Sequence, residues 1–508
     1  MSLQKQLSEL LYECRGEIEG GAIRTPLSHG FRKGHSIFDN ASNHKKRRYV
    51  LNLDLEDFFP SFNFGRVRGF FIKNRDFQLH HQVATIIAQI ACFENRLPQG
   101  SPCSPIISDL IAQILDLRLA RVAKKYLVTY SRYADDITIS TNQKIFPSSI
   151  YTQSQNTEIN SDLGKELTDT IKNAGFRVNN AKTRLQSNDS RQLVTGLTVN
   201  AKVNIRSDYY RTVRAICHRL FAIGTFYRKQ SLGTSKKDET SLDVVEGMLS
   251  HIYQIKIAKQ ALHIQTDETA QKALRELYRQ FLFYRRFVAL EFPLVICEGI
   301  TDNIYLKCAI QNLPEFHPKL GSFSDELFRP KIGFFSYSNK VHRHLKITGG
   351  TGSLVTFISQ YEKHLRKYKN IPLRNPVIVL SDNDAGAKNL LSVVSKITKT
   401  TITHESEDSF FRITGNLYYV KTPRIDGHAE SKIEDFFEPA LSKIKLNGKS
   451  FNPEKIHGEE DEYGKAAFAE KVVRRNAKEI NFTGFASVLR RLVAVIDDYT
   501  SGSTEIAQ

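Results

Sequence analysis

The amino-acid sequence predicts a multidomain protein in which an α+β region, a helical region and an α/β region follow one another. The length of 508 residues exceeds what one hydrophobic core ordinarily serves, because cores stop growing at roughly 250–300 residues. The first part of the chain alternates strand-like and helix-like patterns, and a helical, basic stretch follows it. The last part has apolar strands that lead directly into helices, which is typical of a parallel sheet.

Changes of pattern place the predicted domain boundaries near residues 205 and 291. In the first domain, residues 48–55 form a strand that ends in acids, and residues 128–140 form two strands interrupted by YADD. Between them, residues 105–124 carry apolar side chains at helical spacing. The three predicted domains are residues 1–205, the helical basic residues 206–291, and an α/β domain with a C-terminal extension at residues 292–508.

Composition restricts the partners and the cellular site of the protein. A formal net charge of +18 and an isoelectric point of about 9.4 favour a polyanionic partner, because neutralised phosphates release counterions. No uninterrupted apolar stretch is long enough to span a bilayer, and the acidic start of the chain is unlike a signal peptide. We therefore expect a cytoplasmic protein without a membrane partner. The six cysteines form no CxxC pair, so no zinc site is predicted.

Three aspartates at strand ends form the first candidate metal site. Asp54 closes the strand VLNLD, and Asp135 with Asp136 lies in YADD between two β-prone runs. A tight hairpin would present the adjacent carboxylates to one point, and Mg²⁺ prefers oxygen ligands. Nucleotidyl transfer uses two such ions about 4 Å apart. Adjacent aspartates are also common in ordinary turns, so the neighbouring motifs decide between a metal site and a structural turn.

Those motifs resemble the reverse transcriptases. DLEDFF, LPQGSPCSP and YADD resemble the family's first three motifs, in the family's order. The resemblance implies an RNA-directed DNA polymerase with a right-hand fold of palm, partial fingers and helical thumb, and two Mg²⁺ ions at its site. It implies that Gln99 and Gly100 contact the template and the incoming nucleotide, and that Phe59 excludes a ribose 2′ hydroxyl. AGFRVNNAKTR resembles the fourth motif, which implies that its Lys182 lies near the triphosphate. Alternatively, Phe58 and Phe59 are core residues and Lys182 belongs to a solvated basic turn.

Two further triplets resemble signatures of the retron reverse transcriptases, NAxxH before the first motif and VTG after the fourth. Their residues are Asn40, Ala41, His44, Val194, Thr195 and Gly196. The resemblance implies recognition of a structured non-coding RNA, which is template and primer and is extended with dNTPs into branched msDNA. The thumb would grip the RNA stem through its phosphates. Because the first motif begins only around Val50, the resemblance also implies a short fingers region. A homo-oligomer is left open.

A second candidate metal site lies in the last domain. Glu298 follows the strand PLVIC, and Asp382 and Asp384 follow PVIVLS. Ligands bind at the carboxyl ends of parallel strands, so these carboxylates would converge on one or two Mg²⁺ ions. The pattern resembles a Toprim domain, which implies that the glutamate is a general acid or base and that the DxD binds metal. Asp302 completes the family's EGxTD pattern, and Gly349 and Gly350 match its glycine turn. Glu434 and Asp435 are a weaker match to further acids of its nuclease members. The alternative is that these acids cap strand-to-helix turns.

A retron polymerase fused to a Toprim domain resembles the bacterial phage-defence systems. The resemblance implies a Toprim nuclease effector that is inhibited by the polymerase and its DNA–RNA product. Three alternatives remain. The first is a group II intron or mobile-element reverse transcriptase, although no maturase or HNH-type segment is visible. The second is a catalytically inactive RNA-binding scaffold. The third is a primase-like enzyme that polymerises at the Toprim acids.

Overall fold

A computed structural model describes residues 2–20, 26–152, 162–227, 238–239, 241–258, 268–324, 327–425, 428, 430–453 and 461–505. The chain divides into two compact units. The first is Met1–Arg211 with His251–Thr266, and the second is Thr212–Ser250 with Asp267–Gln508. Most of the predicted thumb thus groups with the C-terminal α/β region, and the three-domain division stays a prediction. Across the described ranges, no helix combines the length and hydropathy that crossing a bilayer requires.

The first unit contains an antiparallel sheet with the strand order β2-β3-β1-β6, and β7 also pairs with β1. Its strands are β1 (Tyr49–Glu56), β2 (Thr129–Tyr133), β3 (Asp136–Thr141), β4 (Tyr151–Thr152), β5 (Asp162–Leu163), β6 (Arg177–Val178), β7 (Arg184–Ser187), β8 (Leu193–Val194) and β9 (Leu197–Thr198). Its helices are α1 (Ser2–Glu19), α2 (Ile37–Ser42), α3 (Phe64–Lys73), α4 (His81–Ala91), α5 (Ser104–Lys125), α6 (Lys165–Asn173) and the start of α7 (Ser207–Ile223).

Helix α5 shows how the sequence sets the core of this unit. Pro105 occupies its first turn, where a missing N–H costs no hydrogen bond, and Lys124 and Lys125 lie in its last turn, where cations complement the helix dipole. Leu110 of α5 belongs to the same buried cluster as Ile137 of β3. The predicted helix over residues 105–124 and the predicted strand over residues 48–55 are confirmed within one residue at each end.

The second unit contains a five-stranded sheet with the order β15-β12-β16-β18-β17, in which only β17 runs antiparallel to its neighbour. The strands are β10 (Phe226–Tyr227), β11 (Asp238–Glu239), β12 (Leu294–Cys297), β13 (Gly321–Ser324), β14 (Leu327–Pro330), β15 (Gly333–Phe334), β16 (Val377–Ser381), β17 (Phe411–Thr414), β18 (Leu417–Lys421), β19 (Ser450–Phe451) and β20 (Glu462–Tyr463). The helices are α8 (Leu242–Tyr253), α9 (Glu268–Phe283), α10 (Asp302–Asn312), α11 (His317–Leu320), α12 (Asn339–Leu345), α13 (Thr351–Leu365), α14 (Lys388–Thr398), α15 (Lys465–Ala467) and α16 (Ala486–Glu505).

Candidate active sites

The YADD turn brings the three aspartates of the first cluster to one edge of the antiparallel sheet. Strands β1 and β3 pair with Asp54 directly opposite Asp136, and Asp135 lies in the turn between β2 and β3. The carbonyl of Asp135 accepts a hydrogen bond from the backbone N–H of Leu55 at 3.1 Å. Ala134 has a φ of 57°, a left-handed conformation that tightens the turn. The hairpin therefore presents two adjacent carboxylates beside the end of β1.

The three carboxylates perturb one another electrostatically. Burial, followed by the charges of Asp135 and Asp54, raises the pKa of Asp136 to about 6. Burial also raises the pKa of Asp135. Lys182 Nζ lies 3.0 Å from Asp54 Oδ2, and this hydrogen bond raises the pKa of Lys182. The repulsion among the three carboxylates outweighs the nearby cations at Asp136, and a bound divalent cation would relieve it.

A buried charge network supports this turn, and no sequence pattern predicted it. Arg132 is fully buried and donates to both carboxylate oxygens of Asp116 at 2.7 Å and to Asp109 at 2.8 Å. Its remaining nitrogen donates to the carbonyl of Ala134 at 2.9 Å. Asp109 also pairs with Arg15 of α1. The sequence signal that could have indicated this network is the pair Asp109 and Asp116, two acids seven residues apart on the buried face of α5.

The NAxxH residues lie inside the first unit. Asn40, Ala41 and His44 have no exposed surface. His44 Nδ1 lies 2.7 Å from Ser140 Oγ, and its Nε2 lies 2.7 Å from Ser131 Oγ, which in turn donates to Asn40 Oδ1. Burial lowers the pKa of His44 to about 3, so the ring is neutral. These side chains are buried and hold α2 against β2 and β3. The role of this motif in RNA recognition stays a prediction.

The VTG residues form the turn between β8 and β9. Val194 is buried, whereas Thr195 and Gly196 have φ values of 45° and 81°. A two-residue hairpin turn of this type needs a positive φ at both residues, and glycine adopts a positive φ without strain. Thr195 Oγ1 donates to the carbonyl of Ile37 in α2 at 3.3 Å. Recognition of RNA by this turn stays a prediction.

The predicted nucleotide and template residues differ in exposure. Gln99 and Gly100 are exposed, and Gly100 has a φ of 92°. Phe58 is buried and stacks on Phe176, with ring centroids 5.9 Å apart. Phe59 packs edge-on against Phe58 but stays partly exposed. Phe58 is therefore a core residue, whereas Phe59 packs against the core and keeps part of its surface exposed. Its contact with the sugar of a nucleotide stays a prediction.

The acids of the second cluster gather beyond the carboxyl ends of β12 and β16, which are adjacent and parallel. Burial, with added repulsion from Asp302 and Glu434, raises the pKa of Asp382 to about 8. Burial and the charge of Asp384 raise the pKa of Glu298. These mutual effects mean that the five carboxylates share one neighbourhood. Asp302 and Glu434 thus act electrostatically on Asp382, as Glu298 does.

Capping accounts for part of this cluster. Asp384 Oδ1 accepts from Gly386 N at 3.0 Å, and Asp382 Oδ1 accepts from Ile433 N at 2.9 Å. Asp435 is exposed and accepts from Lys432 N at 2.7 Å, so it acts as a cap outside the cluster.

Capping does not account for the two glutamates. Glu298 Oε2 and Glu434 Oε2 are buried without a hydrogen-bond partner in the described part of the chain. Glu434 Oε1 lies 2.9 Å from Nζ of Lys465, a residue that no sequence motif indicated. A buried carboxylate oxygen without a donor favours a bound cation, because burying it alone is costly. The donor set therefore fits Mg²⁺.

Neither cluster is a complete ligand set as it stands. Over the described ranges, no three His, Cys, Asp or Glu side chains come together closely enough to enclose an ion. The carboxylates of both clusters have the chemistry for Mg²⁺, but ligation by Asp54, Asp135 and Asp136, or by Glu298, Asp382, Asp384 and Glu434, stays a prediction.

Comparison with known proteins concerns mainly the first unit. Residues 2–205 match the sequence model of the family described as reverse transcriptase (RNA-dependent DNA polymerase). The retron Ec86 reverse transcriptase of Escherichia coli is 34% identical over 200 residues, which are 39% of this chain and 57% of that protein. The retron Mx65 reverse transcriptase of Myxococcus xanthus is 34% identical over 213 residues, covering 38% of this chain and 46% of that protein.

A third relative aligns over a longer stretch. The retron Mx162 reverse transcriptase of Myxococcus xanthus is 32% identical over 256 residues, covering 46% of this chain and 50% of that protein. The chain thus spans about half the length of the curated relatives it matches. A telomerase structure from Candida albicans aligns with this chain with a TM-score of 0.29 and 10% identity, covering 55% of this chain and 53% of that chain. This TM-score is too low to support a shared architecture. The predicted similarity to retron reverse transcriptases is confirmed for the matched region, and the Toprim resemblance stays a prediction.

Proposed function

We propose that the chain is a retron-type RNA-directed DNA polymerase in which Asp54, Asp135 and Asp136 hold two Mg²⁺ ions. The observation that carries this proposal is the strand register that sets Asp54 opposite Asp136, beside the turn that holds Asp135. The match of residues 2–205 to the reverse transcriptase family supports the same activity. When bound, the ions supply activation of the primer hydroxyl and stabilisation of the departing pyrophosphate.

The chain's own side chains would position the reactants around these acids. Lys182, 3.0 Å from Asp54, places a cation where the triphosphate of an incoming dNTP would lie. Phe59 presents a partly exposed ring beside the buried Phe58, so a bulky wall faces the sugar. Gln99 and Gly100 are exposed and open to template and nucleotide.

The template we propose is a structured non-coding RNA that also primes synthesis, so that the product is branched msDNA. The similarity to three retron reverse transcriptases supports this choice. The net charge of +18 supports a polyanionic partner of some kind. Sequencing of the nucleic acid that copurifies with the protein separates the alternatives. A branched species with a DNA portion is expected, whereas a linear intron-like RNA would favour a group II intron-like enzyme.

The polymerase proposal is tested by primer extension on an RNA template with the full chain and Mg²⁺. Asp135→Asn/Asp136→Asn should lower the rate by roughly 10³-fold or more, because the carboxylates that hold the ions are gone. Asp189→Asn, an exposed aspartate in another turn of the same unit, is the matched control and should extend at the native rate. Equal extension by the double variant would refute the proposal. A native chain that binds RNA without extending a primer would indicate the scaffold alternative.

We propose as a second activity metal-dependent hydrolysis of a phosphodiester at the Glu298 cluster. Its support is the buried, unpartnered Oε2 of Glu298 beside Asp382, whose pKa is raised to about 8. Cleavage of labelled DNA, RNA and tRNA should be lost in Glu298→Gln and in Asp382→Asn. It should persist in Asp435→Asn, which removes an exposed cap. Reverse transcription should survive all three changes; its loss in Asp382→Asn would instead favour the primase-like alternative.

The proposed biological role is phage defence, with the polymerase and its msDNA restraining the hydrolase. This role follows the resemblance to retron–Toprim fusions. Cells carrying the system should lose protection in plaque assays when Glu298→Gln is introduced, and Asp435→Asn should leave protection intact. Protection that survives Glu298→Gln would contradict the effector role.

A further inference from the structure

Residues 27–31 run alongside β2, which is the last strand at one end of the antiparallel sheet. Ser28 forms an isolated parallel bridge with Arg132 of β2. His29 N donates to the carbonyl of Arg132 at 2.8 Å, and Arg132 N donates to the carbonyl of Leu27 at 2.9 Å. The segment therefore extends the sheet by one short stretch on the free side of β2.

Gly30 brings this segment against the YADD turn. A Cβ atom on Gly30 would lie 2.4 Å from the backbone N of Ala134 and 3.1 Å from the carbonyl carbon of Tyr133. A side chain would therefore clash with the turn, and glycine lets the two backbones come this close. The segment is thus placed directly against the turn that presents Asp135.

The next residue, Phe31, has a backbone that contacts from α1 hold in place. Its φ of 57° is the left-handed conformation, which is rare and unfavourable for a bulky side chain. Tyr12 Oη donates to the carbonyl of Phe31 at 3.1 Å. Arg32 donates to both carboxylate oxygens of Glu19, at 3.0 and 2.9 Å. Because Tyr12 and Glu19 belong to α1, the helix fixes the backbone on which the Phe31 ring is carried.

The ring of Phe31 packs against the ring of Phe59. Their centroids lie 5.9 Å apart, with the ring planes inclined by 47°. Phe59 also contacts Phe58 edge-on, at a centroid distance of 5.5 Å. Both Phe31 and Phe59 pack against the core of the first unit and keep part of their surface exposed. Phe59 is thus supported by two rings, one from the preceding residue and one from the segment beside the YADD turn.

We propose that Phe31 is a positioning residue for sugar selection, because its ring sets the place of the Phe59 ring relative to the YADD aspartates. This inference rests on the proposed polymerase activity and on Phe59 as the wall that faces the sugar. One short segment contacts the YADD turn through Gly30 and the wall through Phe31. A nucleotide held at the aspartates would therefore meet the wall at a fixed distance, and a ribose 2′ hydroxyl would clash with it.

A ring that only fills space at the edge of the core would behave differently. Its loss would lower stability and would affect deoxyribonucleotides and ribonucleotides alike. The loss of a ring that positions Phe59 changes the preference between them, because the wall moves relative to the sugar. The ratio of kcat/KM for a dNTP to kcat/KM for the matching NTP therefore separates the two roles.

The test is single-nucleotide incorporation by the full chain on an RNA template, with dNTP and NTP as substrates. Phe31→Asn removes the ring and suits the backbone, because asparagine adopts the left-handed conformation more readily than most residues. This variant should lower the preference for dNTP roughly threefold or more, as expected for the loss of one aromatic pair, mainly through a lower KM for the NTP. Phe31→Tyr keeps the ring and should retain the native preference.

The matched control is Phe77→Asn. Phe77 is also partly exposed and packs against the same core, where its ring lies 5.7 Å from the ring of Phe70 and 5.1 Å from that of Phe71. The control variant should lose stability, which thermal unfolding measures, and should keep the native sugar preference. An equal loss of preference in Phe77→Asn would overturn the proposal.

Substitutions of Phe59 separate this inference from the function on which it rests. Phe31→Asn/Phe59→Ala should discriminate no worse than Phe59→Ala, because Phe31 acts through Phe59. Losses that multiply in the double variant would overturn the proposal. A native preference in Phe31→Asn beside an altered one in Phe59→Ala would also overturn it and leave the wall in place. A native preference in Phe59→Ala would instead refute the wall itself, and this inference with it.

Discussion

The guanidinium of Arg132, which has no exposed surface, donates a hydrogen bond to the carbonyl of Ala134 at the YADD turn. The same side chain holds Asp109 and Asp116 of α5. Arg132 is thus a buried cation that is fixed to α5 by two ion pairs and supports the turn that presents Asp135. Removing one partner of a buried charge network is costly because the remaining charges stay buried and unpaired.

Arg132→Met should therefore lower the free energy of unfolding by about 3–5 kcal/mol. Arg206→Met removes an arginine that pairs with Asp208 at the surface, and should leave the free energy of unfolding nearly unchanged because solvent screens the pair. Chemical denaturation of both variants measures the difference. Similar losses in the two variants would contradict a supporting role for Arg132.

Substitution of Phe59 should change sugar selectivity. Phe59→Ala removes the partly exposed ring and should raise the incorporation of NTPs relative to dNTPs by roughly tenfold. Phe58→Ala, the adjacent control, empties a core position and should cost about 3–5 kcal/mol of stability without a gain in ribonucleotide use. Single-nucleotide incorporation kinetics with both sugars distinguish the two effects. An unchanged sugar preference in Phe59→Ala would remove this residue from the proposed site.

His44 should make the first unit sensitive to acid. Its pKa is about 3 in the folded chain and 6.5 when unperturbed, so below pH 6.5 only the unfolded chain takes up the proton. Stability is then full above pH 6.5 and falls as the pH drops toward 3; the loss at pH 5 is about 2 kcal/mol. Because other histidines titrate too, the difference between the native chain and His44→Gln isolates this contribution. Denaturation curves at pH 7 and pH 5 should show a smaller pH effect in the variant.

Asp382 should have the opposite pH dependence. Its pKa rises from 3.8 to about 8 on folding, so the folded chain favours the protonated form and stability falls as the pH rises between these values. In EDTA at pH 8, Asp382→Asn should melt at least about 2 °C above the native chain, and the gap should close toward pH 4. Mg²⁺ should raise the melting temperature of Asp382→Asn less than that of the native chain and of the Asp435→Asn control, because only ions at the polymerase aspartates still bind to it. A variant that gains as much from Mg²⁺ would show that Asp382 is not a ligand.

Local pattern was sufficient to predict the elements that carry the candidate sites. Apolar spacing predicted α5 because the buried face of a helix repeats every three to four residues, and this spacing gave both of its ends within one residue. The strand ending at Asp54 and the interrupted pair around YADD were equally visible, since a short run of β-prone residues is a local property of the sequence.

The supporting contacts could not be predicted in the same way. Arg15 and Asp109 lie 94 residues apart, and His44 and Ser140 lie 96 apart, so their pairing depends on the folded topology. The retron resemblance assigned His44 to RNA recognition, and only the folded structure shows that its ring is buried between Ser131 and Ser140. Lys465 belongs to no motif, and only its distance of 2.9 Å from Glu434 identifies it.

The division of the chain into units has a practical consequence for fragment design. The polypeptide leaves the first unit after Arg211, returns to it at His251 and leaves it again after Thr266. An expression clone that stops at residue 211 would omit a segment whose Ile252, Ile255 and Ile257 are buried in the intact protein. Such a clone should be poorly soluble, whereas one in which a linker joins residues 1–211 to residues 251–266 would keep this segment.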